Sequence, residues 1–360
     1  MIISRTPYRI SFLGGGTDYP SWYRKHGGAV LGVAINKYCY ITCRDLPPFF
    51  EHHYRVVWSK IENCNSIDEI THPAVRATLK FLNYERGVEI HHDGDLPARS
   101  GMGSSSAFTV GLLNVLYALK GQMPEKRRLA LDSIHIEQDI IQETVGSQDQ
   151  VFAAYGGLNF ITFHADDEFS VKPVTISTER SQDFNNHLML FYTGIMRTAS
   201  DVADSYVSKI ENIDRQLRIT NDMVKEGLSI LTGNHDLKEF GGLMHEAWQV
   251  KRSLSNLVSN PQIDEIYQQA LDTGALGGKL TGAGGGGFLL LFVPPNCHDK
   301  VRECMNKLIN VPFKFEHFGS QIIFFQPEEN HLGNEIYRKS QTLSPFQEAV
   351  LTKLKKTPSD

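Results

Sequence analysis

The sequence predicts an α+β protein of two domains, and three observations support this prediction. The chain has 360 residues, more than a single domain usually holds. Short apolar runs that are typical of strands alternate with helical patterns along most of its length. A polar stretch from Thr175 to Asn186 divides the chain into two parts. We therefore predict one domain over residues 1–180, a second over 181–327, and a charged tail over 328–360.

Turn residues and apolar periodicity place the elements of the first domain. We predict strands at Tyr8–Leu13, Ala29–Ile35, Tyr38–Cys43, Tyr54–Trp58, Val88–His92 and Leu158–Phe163. Between the last two of these strands, helical patterns cover Ser104–Leu119 and Glu125–Thr144. The helix from Ser104 is apolar on most sides, which is typical of a buried helix.

The second domain is predicted to begin with a strand at His187–Thr193, followed by helices. The predicted elements after this strand are helices near 200–231, 235–258 and 261–272, a strand at Phe288–Val293, a helix near 298–309, and strands at Phe313–Phe318 and Gln321–Phe325 that close the domain. Asn260 as the N-cap, Pro261 in the first turn and Gly274 after the last turn mark the bounds of the third helix.

Composition and charge exclude several classes of protein. Hydrophobic residues make up 41% of the chain and charged residues 21%, which excludes a disordered or coiled-coil chain. The 36 basic and 41 acidic residues give a net charge of −5, and no block of like charge occurs. We therefore expect neither nucleic acid nor a membrane surface among the partners of this protein.

Cysteine usage and the short apolar runs predict a cytoplasmic location. The five cysteines form no C-x-x-C pair, a usage that is typical of free thiols in a reducing compartment. The run from Phe288 to Val293 is far shorter than the roughly 20 residues that a membrane-spanning helix needs. The N-terminus shows no signal-peptide pattern. We expect an intracellular enzyme or binding protein.

The strongest local signal is a glycine- and serine-rich segment from Leu96 to Ala107, between a predicted strand and a predicted helix. Glycines allow the backbone to approach a ligand, and the helix N-terminus offers free N–H groups to an anion. The serines add hydroxyl groups that could donate to phosphate or bind Mg²⁺. An ordinary serine-capped helix after a tight turn is the simpler alternative. The segment matches neither a Walker A motif nor the three-glycine Rossmann motif.

Two further glycine segments accompany it. Between Gly277 and Gly287, seven of eleven residues are glycine, and a bulged strand entry would explain only one or two of them. Near the N-terminus, Arg9 interrupts an otherwise uncharged strand, and three glycines release Thr17 and Asp18 onto a loop. A surface arginine with an aspartate-containing turn is the alternative for this segment.

Two carboxylates complete the set of candidates. Glu137 continues the apolar stripe of Ala130, Ile134 and Ile141, so we expect a carboxylate that is paired, protonated or bound to a cation. A glutamate that reaches solvent from the edge of the stripe is the alternative. Asp149 follows this helix in a glycine-flanked turn, where a solvated aspartate would also fit.

Together these residues resemble the GHMP kinases, a superfamily that includes galactokinase and mevalonate kinase. The resemblance covers the chain to about residue 326 and rests on three motifs in the family's order: Pro7–Asp18, Leu96–Ala107 and Lys279–Gly287. It implies an N-terminal domain like domain 2 of ribosomal protein S5 and a ferredoxin-like C-terminal domain. It also implies an active site between the domains, with ATP and Mg²⁺ as cofactors.

The resemblance further implies roles for individual residues. Asp149 would be the catalytic base, with Arg9 as its basic partner. Glu137 and Ser105 would bind Mg²⁺. The nucleotide would contact Gly101, Met102, Gly103, Ser104, Ser105 and Ser106, with Trp58 against the adenine. The substrate would contact Gly16, Thr17, Asp18, Arg197, Thr281, Gly282 and Gly284, with Asp18 bound to sugar hydroxyls.

Within the superfamily, the chain is most similar to the D-glycero-D-manno-heptose 7-phosphate kinases. The similarity lies in Pro7–Pro20, in Tyr192–Gly194 followed by Arg197, and in Gly274–Lys279. Galactokinases carry a Glu-His pair where this chain has Gly15 and Gly16, which argues against galactose as the substrate. The implied reaction phosphorylates the anomeric hydroxyl to give a heptose 1,7-bisphosphate. A kinase for another sugar such as fucose and a non-catalytic sensor of sugar and ATP stay open, as does a homodimer.

A sugar phosphate needs cationic groups in a protein that is net acidic. Arg197 is the first candidate, because it precedes the helix predicted near residue 200 and would place a guanidinium beside a helix N-terminus. Weaker candidates, for which a solvated surface position is the simpler interpretation, are Arg24, Lys25, Lys251 and Arg252.

Overall fold

The structure is a computed structural model that describes residues 1–47, 49–195, 202–205 and 213–326. Its strands are β1 Ile2–Leu13, β2 Gly28–Asp45, β3 Tyr54–Val57, β4 Ile61–Cys64, β5 Val88–Gly94, β6 Leu158–Phe163, β7 Phe169–Pro173, β8 Leu188–Tyr192, β9 Gly277–Leu280, β10 Phe288–Phe292, β11 Ile309–Asn310 and β12 Gln321–Phe325. Its α-helices are α1 Pro20–His26, α2 Pro73–Phe81, α3 Ser104–Leu119, α4 Lys126–His135, α5 Gln148–Tyr155, α6 Thr178–Asn186, α7 Asp214–Thr232, α8 Leu237–Arg252, α9 Pro261–Asp272 and α10 His298–Cys304.

The larger sheet is organised around β2, which is 18 residues long. Along one edge β2 pairs with β1, and along the other it pairs first with β6 and then with β5. The sheet order is β12-β1-β2-β5-β3-β4, with β7 added outside β6. All of these pairs are antiparallel except β3 with β5. The strand that carries Arg9, β1, lies between β12 and β2 at its start, over Ile2–Arg5, and continues along β2 to Leu13.

The smaller sheet has the order β11-β8-β10-β9, and its pairs are antiparallel. In chain order its elements run as a strand, helices, two strands, a helix and a strand, which confirms the expected ferredoxin-like arrangement. The central strand β10 is buried along its whole length and consists of phenylalanine and leucine. A strand covered on both faces reads as a continuous apolar run, as it does here.

Aromatic side chains join the two sheets. Phe12 of β1 packs edge-on against Phe184 of α6 and Phe240 of α8, with ring centroids 5.1 and 5.8 Å apart. Phe184 and Phe240 in turn contact Phe292 of β10. The end of β1 is thereby fixed against the C-terminal domain, directly before the glycines that lead to Asp18.

Several element predictions are confirmed. The helix from Ser104 to Leu119, the strand from Leu158 to Phe163 and the helix from Pro261 to Asp272 have the predicted bounds. The Asn260 side chain caps α9 by accepting a hydrogen bond from the Ile263 N–H at 3.0 Å. In α3 most positions are buried, because the helix packs across β1 and β2 and against α5.

Other element predictions are wrong in ways that pairing explains. The strands predicted at Ala29–Ile35 and Tyr38–Cys43 are one strand, since β1 pairs along nearly the whole of β2. Gln321–Phe325 does not close the C-terminal domain but pairs with β1, and Phe313–Phe318 forms only an isolated bridge through Phe315. The division of the chain at residue 180 stays a prediction.

The remaining differences concern helices. The helix predicted to reach Thr144 changes at Ile136 into a π-helical turn that ends at Ile140. The polar stretch predicted as a boundary contains α6, which Ser177 caps by accepting from the Arg180 N–H. The helix predicted over 235–258 ends at Arg252. In the described part of the chain, no helix is long and apolar enough to cross a lipid bilayer.

Candidate active site

A cavity of about 470 Å³ lies where the three glycine-bearing segments meet. Its wall combines the end of β1, the loop before α3, the first turn of α5 and the loop after β9. The predicted site residues on this wall are Arg9, Gly16, Asp18, Gly101, Gly103, Ser104, Ser105, Asp149 and Gly282. Segments separated by more than 250 residues in the sequence therefore share one site.

Arg9 and Asp149 form a bidentate ion pair on the cavity wall. Nε and Nη2 of Arg9 donate to the two carboxylate oxygens of Asp149, each at 2.7 Å. The Arg9 Nη1 donates to the carbonyl of Gly101 at 2.8 Å, and its backbone N–H donates to Met102 at 3.1 Å. The sequence predicts Asp149 in a loop turn, but the residue lies in the first helical turn of α5. The predicted pair of base and basic partner is thus in direct contact.

The loop before α3 has the backbone of an anion-binding loop. Gly101 adopts a φ of 81°, and a side chain there would come within 2.6 Å of the Thr281 carbonyl oxygen. Gly103 also has a left-handed φ, 73°, and precedes the first turn of α3. Ser104 and Ser105 face the cavity, whereas Met102 and Ser106 are buried below it. Four of the six predicted phosphate contacts therefore lie on the cavity surface.

Glu137 is buried on the π-helical turn, as its apolar stripe predicted, and a position in solvent is excluded. Burial raises the pKa of this carboxyl to about 7, and hydrogen bonds from Ser106 and Gln150 to Oε2 oppose the rise. The other oxygen, Oε1, has no hydrogen-bond partner among the residues that the structure describes. Glu137 does not itself line the cavity.

The residues around Glu137 fit a magnesium ion. An unpartnered carboxylate oxygen and the exposed Ser105 hydroxyl are hard oxygen donors of the kind Mg²⁺ prefers. The serine that contacts Glu137 is Ser106, at 2.8 Å, and not the predicted Ser105. Groups of three or more histidine, cysteine, aspartate or glutamate residues suited to a metal do not occur in the part of the chain that the structure describes. Any ion there would also need oxygen ligands from phosphate or water.

Asp18 is buried at the end of the glycine segment near the N-terminus. Its carboxylate accepts from the backbone N–H of Gly16 at 2.9 Å and of Gln148 at 3.4 Å. Burial raises the pKa of Asp18, and the nearby charge of Asp149 adds to the rise. The neighbouring Thr17 does not face the cavity, because its hydroxyl donates to the carbonyls of Gly14 and Ala29 inside the fold.

The loop after β9 contributes fewer cavity residues than predicted. Gly282 lies on the wall together with Ala283. Thr281 is buried, and its hydroxyl donates to the Phe288 carbonyl at 3.3 Å. Gly284 packs against the backbone of Val258 away from the cavity.

Two lysines face the cavity: Lys251, a weaker candidate from the sequence, and Lys279, to which the sequence assigned no role. Lys251 lies in the last turn of α8 and donates to the carbonyls of Leu280 and Gly282. Lys279 on β9 donates to the Phe12 carbonyl at 3.0 Å. Burial lowers the pKa of Lys279 to about 7 and the pKa of Lys251 well below its usual value. A solvated surface position, which the sequence favoured for Lys251, is therefore wrong.

The other predicted cationic and aromatic contacts lie elsewhere. Trp58 is not on the cavity wall, and its indole donates to Glu62 at 2.8 Å. Arg24 is exposed and pairs with Asp167, and Arg252 pairs with Asp264. Arg197 lies outside the described residues.

Comparison with known proteins matches two segments of the chain to one family. Residues 70–157 match the GHMP kinases N terminal domain, and residues 228–310 match the GHMP kinases C terminal domain. The D-glycero-alpha-D-manno-heptose 7-phosphate kinase of Campylobacter jejuni is 28% identical over 306 residues, which cover 82% of this chain and 90% of that protein. The bifunctional fucokinase/GDP-fucose pyrophosphorylase of Arabidopsis thaliana is 24% identical over 84% of this chain, which spans 30% of that protein.

A solved structure shares the fold. The crystal structure of a D-glycero-D-manno-heptose 1-phosphate kinase from Bacteroides thetaiotaomicron superposes with a TM-score of 0.73. The two chains are 20% identical, and the match covers 91% of this chain and all of the other.

These matches and the cavity define an ATP-dependent phosphotransferase with the two-domain fold expected from the sequence. The chain belongs to the GHMP kinases. Its relatives support a sugar kinase within that family.

Proposed function

We propose that this GHMP kinase transfers the γ-phosphoryl group of ATP to the anomeric hydroxyl of D-glycero-D-manno-heptose 7-phosphate, giving the 1,7-bisphosphate. The observation that carries the proposal is the bidentate contact of Arg9 with Asp149, set beside Asp18 and the N-terminus of α3. A base, a cation and an anion-binding helix end are the parts that phosphoryl transfer to a hydroxyl requires. The similarity to the heptose 7-phosphate kinase of C. jejuni supports this acceptor.

In this proposal the ATP phosphates lie on the loop before α3. Gly101 and Gly103 bring the backbone close to the phosphates, and the free N–H groups of the helix N-terminus donate to them. Ser105 and Glu137 would hold a magnesium ion, which when bound offsets negative charge on the β- and γ-phosphates.

Asp149 then receives the proton of the anomeric hydroxyl. Its two hydrogen bonds with Arg9 leave one lone pair free on each carboxylate oxygen, so the base can accept a proton without losing its partner. Arg9 holds the carboxylate in one orientation and places positive charge near the attacking oxygen. Asp18 would orient the sugar through its hydroxyls.

An assay of ADP release with a panel of acceptors tests the proposal. The panel contains heptose 7-phosphate, free heptose, L-fucose and D-galactose, each at equal concentration with ATP and Mg²⁺. The proposal expects the highest kcat/KM with heptose 7-phosphate and a product phosphorylated at carbon 1, identified by NMR. A higher kcat/KM with L-fucose would instead indicate a fucose kinase. No ADP release with any sugar would favour a non-catalytic sensor of sugar and ATP.

A further inference from the structure

Two lysines from the C-terminal part of the chain, Lys251 and Lys279, face the cavity. Lys279 is 7% exposed, and its ammonium group donates to the Phe12 carbonyl. Lys251 is partly buried, and its ammonium group points to the carbonyls of Leu280 and Gly282. Neither lysine forms a salt bridge within the described residues. The carbonyl groups satisfy hydrogen bonds of the lysines but leave their charges without a counter-ion.

Burial and neighbouring like charges both oppose the charged form of these lysines. The charge of Lys279 and that of Arg9 both lower the pKa of Lys251, and Arg9 also lowers the pKa of Lys279. Arg9 is itself neutralised by Asp149. Enclosed like charges are stabilised only when an opposite charge joins them. A dianion between the two ammonium groups would supply that charge.

The proposed reaction brings two anionic groups into the cavity, the phosphates of ATP and the phosphate on the sugar. In the proposed function the N-terminus of α3 binds the phosphates of ATP, and Gly103 and Ser104 of that region lie on the cavity wall. Both lysines belong to the C-terminal domain. Asp18, the predicted sugar contact, is the carboxylate whose charge raises the pKa of both lysines. The lysines therefore lie on the acceptor side.

We propose that Lys251 and Lys279 together bind the phosphate at the end of the acceptor sugar opposite the reacting hydroxyl. This inference rests on the proposed function and identifies the residues that select a phosphorylated sugar over a free one.

The test compares heptose 7-phosphate with free heptose in the wild type and in Lys251→Met and Lys279→Met variants. The wild type is expected to prefer the phosphorylated sugar by about 100-fold or more in kcat/KM. Each substitution should lower that preference by about 10- to 100-fold, because it removes a charge-assisted hydrogen bond to phosphate. The KM for ATP should stay within about threefold.

Two further variants separate charge at this position from other effects. Lys251→Arg keeps a cation and should retain most of the preference. Arg252→Met is the matched control, since Arg252 lies one residue further on α8 and pairs with Asp264 at 2.7 Å outside the cavity. It should leave the preference unchanged.

The outcomes distinguish the two proposals. A wild type without preference for the phosphorylated sugar contradicts the proposed substrate and with it the role of the lysines. A wild-type preference that survives in both methionine variants contradicts the lysine assignment alone. The lysine assignment is also overturned if the variants lose activity equally with both sugars or raise the KM for ATP, because the lysines would then serve the transferred phosphoryl group or the fold.

A binding measurement on the wild type covers the case in which the variants do not fold. At pH 8 a sugar phosphate is already a dianion, and binding it should raise the pKa of both lysines. Titration calorimetry of heptose 7-phosphate in two buffers of different ionisation enthalpy should therefore show proton uptake. Free heptose in the same buffers controls for the other charged groups that line the cavity, which are Arg9, Asp18, Arg99, Glu143, Asp149 and Asp204. Equal uptake for both sugars, or none, would overturn the proposal.

Discussion

Replacing Glu137 by glutamine should change how the stability of the protein depends on pH. Burial raises the pKa of this carboxyl from 4.5 to about 7. A carboxyl with a raised pKa in the folded state contributes stability that is fully present below its unfolded pKa and is lost as pH rises through its folded pKa. Glutamine has the shape of the protonated form and never ionises, so Glu137→Gln should not suffer this loss.

The size of the effect follows from the difference of 2.5 between the two pKa values. At 1.36 kcal/mol per pKa unit, the full titration amounts to about 3 kcal/mol, of which about 2.5 kcal/mol falls between pH 5 and pH 8. The variant should therefore be close to the wild type in free energy of unfolding at pH 5 and clearly more stable at pH 8. Urea unfolding at both values, with EDTA and without nucleotide, measures the difference.

A control and a clear negative outcome accompany this experiment. Glu85→Gln makes the same chemical change at an exposed glutamate, so it controls for the change in net charge. Glu137→Gln should differ from Glu85→Gln at pH 8. A stability difference between Glu137→Gln and the wild type that is constant from pH 5 to pH 8 would refute the argument from burial.

Three further predictions concern the reaction. Asp149→Asn offers Arg9 one acceptor where two are now used, and it should lower kcat at least ~100-fold with little change in the KM for ATP; near-wild-type turnover of the folded variant would reject Asp149 as the base. Ser105→Ala should weaken the apparent Mg²⁺ affinity of the nucleotide complex severalfold, and an unchanged Mg²⁺ titration would place the ion elsewhere. Gly146→Ala would put a methyl group 1.9 Å from the Asp18 carboxylate, so kcat/KM for the sugar should fall while the KM for ATP holds; an unaltered sugar KM would argue against Asp18 as a sugar contact.

Lys251 shares with Glu137 a sequence pattern that predicts burial. Glu137 continues an apolar stripe, and it is buried. Lys251 follows Met244 and Trp248 at spacings of seven and three residues, and both of these are fully buried. A lysine on such a stripe commonly extends its ammonium group to solvent, which favoured the surface interpretation. Only the structure shows that the side chain turns toward the Gly282 carbonyl.

Sequence patterns could not predict the long-range pairings. Ile2 pairs with Phe325 across nearly the whole chain, and nothing local in either strand indicates its partner. Asp149 presents a similar difficulty, since α5 is only eight residues long and begins directly after a glycine-containing loop. Its contact with Arg9 depends on β1 and α5 both packing against α3. The resemblance to the family anticipated that contact, whereas periodicity alone did not.

Two glycines between Gly277 and Gly287 have a physical role that depends on the loop before α3. A side chain at Gly282 would come within 2.4 Å of the Gly101 Cα atom, and one at Gly287 within 2.3 Å of the Ser100 carbonyl oxygen. The two loops therefore touch through their backbones, which only residues without a Cβ atom allow. Arg9 of β1 also donates to the Gly101 carbonyl. Strand β1, the loop before α3 and the loop after β9 therefore meet at one point. Two glycines of the cluster, Gly282 and Gly287, are thus required by the approach of the two loops beside the cavity.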